Sequence, residues 1–266
     1  SLHHAPVLPE KVLPSVEKGI APKDDVLVIG YDIGTTGAKT CLFSLGHQIE
    51  LMARSVHEYS LQVVNGNGIE QNPDDWWRAM ALGTADVIRQ CGIRPSQVRA
   101  LSFSAQMQSF VPVDTSGRSL RPSMSYMDQR GTVQQLRLLH RPPRISGISA
   151  ALLLPSLHLT GGVSASVKDP VWKYLWMKDN EPEPFSRLAY WLDVKDYLAM
   201  RCTGRPTMTH DSANATFLYD TRQGKLRWSE WLCRAHGVER RHLPEVIGAT
   251  DIVGPLSEVA ARDLGL

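Results

Sequence analysis

The stretch Asp32-Ile-Gly-Thr-Thr-Gly-Ala-Lys39 packs a carboxylate, two hydroxyls, two glycines and an ammonium into eight residues. Glycine permits a tight bend. A bend of this kind, centred on Gly34, Thr35 and Thr36, turns backbone N–H groups and hydroxyls toward phosphate oxygens. Lys39 adds positive charge, and Asp32 is suited to hold Mg²⁺ directly or through water. The same residues also make a plain Gly-rich hairpin with a solvated aspartate, and spacing alone does not choose between the two. A Walker loop is excluded, because no GxxxxGK[ST] occurs.

Two further groups could do chemistry. Gln106-Met107-Gln108 offers two amides around a thioether, and Asp211 is the one carboxylate in Thr207-Met-Thr-His-Asp-Ser-Ala-Asn-Ala-Thr216. A carboxylate can take a proton from a hydroxyl; Asp-Ser-Ala-Asn is equally good helix-capping chemistry. Both readings of Asp211 stand at this point.

The elements that must position these groups follow from the apolar pattern. Val26 to Tyr31 suits a buried strand, Lys39 to Ser44 a second, and Glu50 to Tyr59 a third, so an antiparallel meander is expected. Asn72-Pro73-Asp74-Asp75 starts a helix that runs through Trp76, Trp77, Met80 and Val87 and ends near Gly92. Val98 to Ser104 returns to a strand, which places Gln106 just beyond a strand end, where ligand crevices of open sheets lie. Ser109 to Val113 reads as another strand. From Gly131 onward the chain is mainly helical, with starts at Asp169-Pro170, Asp193, Ser229 and Ser257. The Trp76/Trp77 and Trp172/Trp176 pairs read as core packing. The order implies α/β with a mixed sheet.

Six stretches in one order resemble the FGGY family of carbohydrate kinases, within the superfamily of actin, hexokinase and the heat-shock ATPases. They are the Asp32–Lys39 turn, Glu70-Gln-Asn-Pro-Asp-Asp-Trp-Trp77, Ser104-Ala-Gln-Met-Gln108, and Leu120-Arg-Pro to Asp128-Gln-Arg130. The last two are Lys168-Asp-Pro-Val-Trp-Lys173 with Trp176, and Leu192 through Lys195-Asp-Tyr-Leu198 to Gly204. The resemblance implies a ribonuclease H-like domain with a five-stranded mixed sheet over residues 26–266, and a second domain beyond it that carries the adenosine pocket. It implies ATP and Mg²⁺ as cofactors and a small sugar or polyol as substrate, phosphorylated by a xylulokinase-like enzyme. Asp32 would handle the metal; Gly34, Thr35, Thr36 and Lys39 would meet the phosphates. Gln106, Met107, Gln108, Tyr126 and Asp128 would face the sugar, although Asp128 and Arg130 also suit a structural pair. Gln108 stands where xylulokinases carry His, which keeps a hydrogen-bonding side chain and removes a titratable one. The family's general base falls on Thr209 in an ungapped register, so a local shift must bring Asp211 into that role. This fragment alone is expected to be inactive. A catalytically dead sugar-binding module and an actin-type ATPase without a sugar remain as alternatives.

Composition excludes other classes. Net charge is +2, from 29 basic and 27 acidic residues, which gives no electrostatic reason for nucleic acid or anionic membrane as partner. Cys41, Cys91, Cys202 and Cys233 form no CxxC pair and read as buried free thiols of a cytoplasmic protein. Residues 1–25 hold four prolines and no apolar signal core, and read as a flexible leader. A homodimer is left open.

Overall fold

The computed structural model describes residues 25–266, so the expected leader, apart from Asp25, lies outside the described residues. β1 (Val26–Ile33), β2 (Gly37–Leu45) and β3 (Ile49–Glu58) form the expected antiparallel meander. β4 (Gln62–Val64) and β5 (Gly68–Gln71) follow, then α1 (Pro73–Cys91) and β6 (Val98–Ala105). β6 returns parallel to β1, giving the order β3-β2-β1-β6.

Periodicity explains one face of this sheet. Leu27, Ile29, Tyr31 and Ile33 alternate inward on β1 and are buried together with Ala38 and Leu42 of β2. α1 supplies Trp76, Met80 and Val87 to the same core. Asn72 caps α1 by accepting from Asp74 N–H at 3.0 Å, Pro73 opens it, and Gly92 closes it at φ +63°. Gly83 lets α1 lie close to β2, since a Cβ there would come within 2.2 Å of Thr40 Oγ1.

The sheet has four strands among the described residues, not the expected five. The strand expected over Ser109 to Val113 shrinks to β7 (Val111–Val113), which pairs antiparallel with β11 (Tyr190–Leu192). The physical reason lies at Gln108, whose φ of +62° turns the chain out of its extended path.

Between β7 and β11 come β8 (Ser123–Met124), α2 (Thr132–Leu139), the hairpin β9 (Arg144–Ile145) and β10 (Ile148–Ser149), α3 (Ala150–Thr160), α4 (Pro170–Asn180) and α5 (Pro182–Ser186). After β11 come α6 (Val194–Thr203), β12 (Thr207–Thr209), α7 (His210–Ala215), β13 (Tyr219–Asp220) and β14 (Arg227–Trp228). α8 (Glu230–His236), β15 (Glu245–Ile247) and α9 (Glu258–Leu264) complete the chain. Ser229 and Ser257 cap α8 and α9 as expected, accepting from Leu232 N–H and Ala260 N–H.

A second core of Phe110, Trp172, Tyr174, Trp191 and Trp228 fills this helical part. β7 and β11 form the seam between the two cores: Trp191 packs into the second, its neighbour Leu192 into the first. All four cysteines are free; Cys202 and Cys233 are buried, whereas Cys41 and Cys91 are only half-buried. Among the described residues no helix is long and apolar enough to cross a membrane.

Candidate functional site

The β1–β2 turn is built by one local bond and by two from residues farther along the chain. Gly34 N–H donates to Gly37 O at 3.0 Å. Tyr59 OH donates to Gly34 O at 2.6 Å, and Gln71 Nε2 donates to Thr35 O at 2.7 Å. Asp32 and Lys39 are cross-strand partners, so pairing brings Lys39 Nζ to 3.2 Å from Asp32 Oδ2. Both side chains stay in solvent, at 48% and 65% exposure. Thr36 is exposed and Thr35 half-buried.

The end of β6 joins this turn. Gln106 N–H donates to Ile33 O at 2.9 Å, and its Nε2 donates to Gln71 Oε1 at 2.5 Å. Tyr126 OH lies 3.5 Å from Thr35 Oγ1. Thr35, Gln71, Gln106 and Tyr126 are therefore one connected group. Met107 beside them is exposed. Gln108 is held through its backbone: its N–H donates to Asp193 Oδ2 at 2.8 Å, and its carbonyl accepts from Lys173 Nζ at 3.0 Å.

Asp128 is placed differently from the other candidates. It is fully buried, and its oxygens accept from Ile69 N–H at 2.8 Å and from the Arg130 guanidinium at 2.8–3.3 Å. The structural pairing with Arg130 is the role this geometry shows. Arg130 continues to Glu70 at 2.7 Å, and Arg121 meets both Glu70 and Glu181. Both guanidinium groups lie over the Trp176 ring, Arg130 at 4.4 Å and Arg121 at 5.6 Å from its centre. Trp172, by contrast, is the buried core residue expected. The network anchors β5, and so Gln71, against the loop that carries Tyr126.

Asp211 lies in the first turn of α7, 46% exposed, with Lys195 Nζ 2.7 Å from its Oδ2. Partial burial works against its ionisation, but the Lys195 and Thr209 contacts outweigh that and hold the carboxyl below its usual range. α7 is capped by the Thr209 position without a side-chain bond, so Asp211 is not the cap. Thr209 N–H donates to Asp196 Oδ1 at 3.2 Å. Asp196 is buried, and desolvation pushes it up to about 7. Lys195 follows Asp193 and Val194 at the start of α6, which links Asp211 back to the Gln108 loop.

A cavity of about 800 Å³ lies away from these groups, between the turn after β7, the start of α1 and the end of α6. Its charged rim is already paired internally, Arg201 to Asp74 at 2.6 Å and Arg118 to Asp114 at 3.6 Å. None of the candidate residues lines it.

The match to known proteins follows this geometry. Residues 27–266 match the model of the N-terminal domain of the FGGY family of carbohydrate kinases. This chain belongs to that family. It is 29% identical over 241 residues to the xylulose kinase of Bacillus subtilis (strain 168), covering 90% of this chain and 45% of that protein. The FGGY fold is also seen in solved structures. A gluconate kinase from Lactobacillus acidophilus aligns with a TM-score of 0.77 at 21% identity, over 91% of this chain and 46% of its own. A ligand-bound xylulose kinase from the same organism aligns at 0.76 and 22%, over 90% and 46%. The FGGY chain described here thus spans about half the length of the curated relatives it matches.

Within this FGGY domain, several site-building residues carry no clear signal of their own in the sequence. Gln71 touches both the turn and Gln106, and only its place in the Glu70–Trp77 stretch hinted at a role. Tyr59 ends the meander and reads as a strand residue. Lys173 enters the sequence reading only as the end of the Lys168–Lys173 stretch, with no role of its own, and it is fully buried. Tertiary packing alone makes that assignment.

Proposed function

We propose that this domain forms the acceptor-binding side, and part of the phosphate-binding side, of an ATP- and Mg²⁺-dependent kinase for a ketose or polyol. The supporting observation is a run of hydrogen bonds, joined by two short stretches of backbone (Gln106 to Gln108 and Asp193 to Lys195), from the Asp32 turn through Gln71 to Asp211. The candidate metal residue and the candidate base stand at the two ends of this run.

The residues suit the implied cofactor. No cluster of three or more His, Cys, Asp or Glu fit to hold a metal occurs among the described residues. A lone exposed carboxylate such as Asp32 matches Mg²⁺, which keeps several waters and binds through one or two carboxylates plus phosphates. Thr35 and Thr36 present amides and hydroxyls to phosphate oxygens, Gly34, its own N–H closed on Gly37 O, gives the bend that exposes them, and Lys39 adds charge. ATP would supply the electrophilic γ-phosphoryl group, and Mg²⁺ would screen its charge. Gln106 and Gln108 hydrogen-bond acceptor hydroxyls, with Met107 and the Tyr126 ring against the carbon skeleton. Asp211, ionised at neutral pH, takes the proton of the attacking hydroxyl, an effect typically worth ~10²–10⁴ in rate. The rest of a full-length protein would close over these residues and exclude water, which competes as acceptor. A cytoplasmic location goes with this reading.

In the full-length protein, Asp211→Ala is expected to lower phosphoryl transfer ~10³-fold in a coupled ADP assay while sugar binding persists. Turnover near normal would remove Asp211 from the mechanism. A second reading, an inactive sugar-binding module, draws on Thr209 in the family base's register. Under it, the natural protein releases no ADP with any sugar, and Thr209→Asp gains activity.

A further inference from the structure

Five non-glycine residues have positive φ among the described residues: Asn65, Gln108, Ser146, Phe217 and Leu226. Gln108 differs from the rest. Its N–H and its carbonyl are each bonded to a buried, charged side chain from a distant part of the chain. Asp193 is 4% exposed and accepts from three amides: Gln108 at 2.8 Å, Ser109 at 3.1 Å and Val194 at 2.8 Å. Lys173 is 0% exposed and donates to Gln108 O at 3.0 Å and to Lys168 O. A Cβ makes the left-handed conformation unfavourable, so it persists only where surroundings enforce it. The Gln108 side-chain amide itself has no hydrogen-bond partner among the described residues, which leaves it free for a ligand.

We propose that Lys173 and Asp193 are positioning residues for acceptor selection, which clamp both peptide groups of Gln108 in the left-handed conformation and so aim its side-chain amide at the sugar. This rests on the sugar-kinase reading above. The two side chains act on the two peptide groups that flank the Gln108 Cα: a carboxylate suits the donor, an ammonium the acceptor. Each bond is charge-assisted and shielded from water, where such bonds are strongest. Lys173 sits on α4 and Asp193 at the start of α6. The loop is thereby tied to both cores, and its conformation does not depend on its own sequence.

Two measurements on the full-length protein test this. The first is sugar-independent: amide hydrogen exchange at Gln108 and Ser109 is expected to speed up at least ~10-fold in Lys173→Met and in Asp193→Asn. Unchanged protection in folded variants would overturn the clamp. Asp193→Asn keeps the side-chain shape and carries the comparison if Lys173→Met does not fold. The second measurement is calorimetric titration and kinetics with D-xylulose, D-ribulose, D-gluconate and glycerol. Lys173→Met is expected to raise Kd and KM for the bound sugar ~10-fold with kcat within about threefold. Gln108→Gly adopts the left-handed region unaided, so adding Lys173→Met to it should weaken binding less than twofold further. Fully additive losses would show Lys173 acting elsewhere and overturn the proposal. If the natural protein binds none of the four while exchange still accelerates in the variants, the sugar reading fails and the clamp stands.

Discussion

The β1–β2 turn and the Gln108 loop adjoin the same end of one sheet, and they are held by opposite means. The turn relies on neutral bonds from Tyr59 and Gln71, while its charges, Asp32 and Lys39, remain in solvent. An exposed pair of this kind contributes about 0–1 kcal/mol. The Gln108 loop places its charges inside, on Lys173 and Asp193, with every polar contact directed at backbone. The difference follows from the tasks proposed for them. A turn that must exchange a lysine for phosphates and metal has to give up its contacts cheaply. A loop that must tell one acceptor from another has to hold its shape when empty.

The comparison breaks first at Asp193. Asp193→Ala would leave three amide N–H groups, those of Gln108, Ser109 and Val194, without their acceptor. Loss of about 3–5 kcal/mol of unfolding free energy is expected, read by urea denaturation. A loss below about 1 kcal/mol would mean the loop is not held from within. Asp32→Asn should do the reverse: stability within about 0.5 kcal/mol of the natural protein, and turnover with Mg²⁺ and ATP down ~10²-fold, about 2.7 kcal/mol. Steady-state assay and denaturation on the same sample separate the two effects.

pH also distinguishes the regions. Desolvation raises Asp196 from its ordinary 3.8 to about 7, and Asp169 to about 6. For each, the folded chain binds the proton more tightly than the unfolded one. The stability contributed is complete below about 3.8 and is lost as pH rises through the folded value. Asp196→Asn should flatten that slope, so the natural protein's stability relative to the variant falls by at least ~1 kcal/mol between pH 4 and pH 8. A relative stability unchanged across that range would place Asp196 outside the buried set. The smallest effect is at Lys39: Lys39→Ala should change stability by less than about 0.5 kcal/mol, with a measurable rise in KM for ATP.

Much of the local architecture was readable beforehand. The strand over Val26–Tyr31, the Asn72-Pro73 start and the Gly92 stop of α1 each depend on residues within a few positions. So do the caps at Ser229 and Ser257, and all of them appear as expected. The fifth strand did not, because the path after β6 turns on Gln108, and nothing about a glutamine announces positive φ. Asp128 and Arg130 are neighbours in sequence, and their pairing was one of two readings. Their burial under Glu70 and Trp176 settled the geometry.

Phosphate-friendly residue types and their order along the chain were encoded locally, since a turn's chemistry is carried by adjacent positions. The environment of Lys173, Asp193 and Asp196 was not, for their solvation depends on elements folded over them from far along the chain. A side chain's identity states what charge it can carry. Only the neighbours that exclude water decide whether that charge grips a backbone, shifts its proton affinity, or stays idle at the surface.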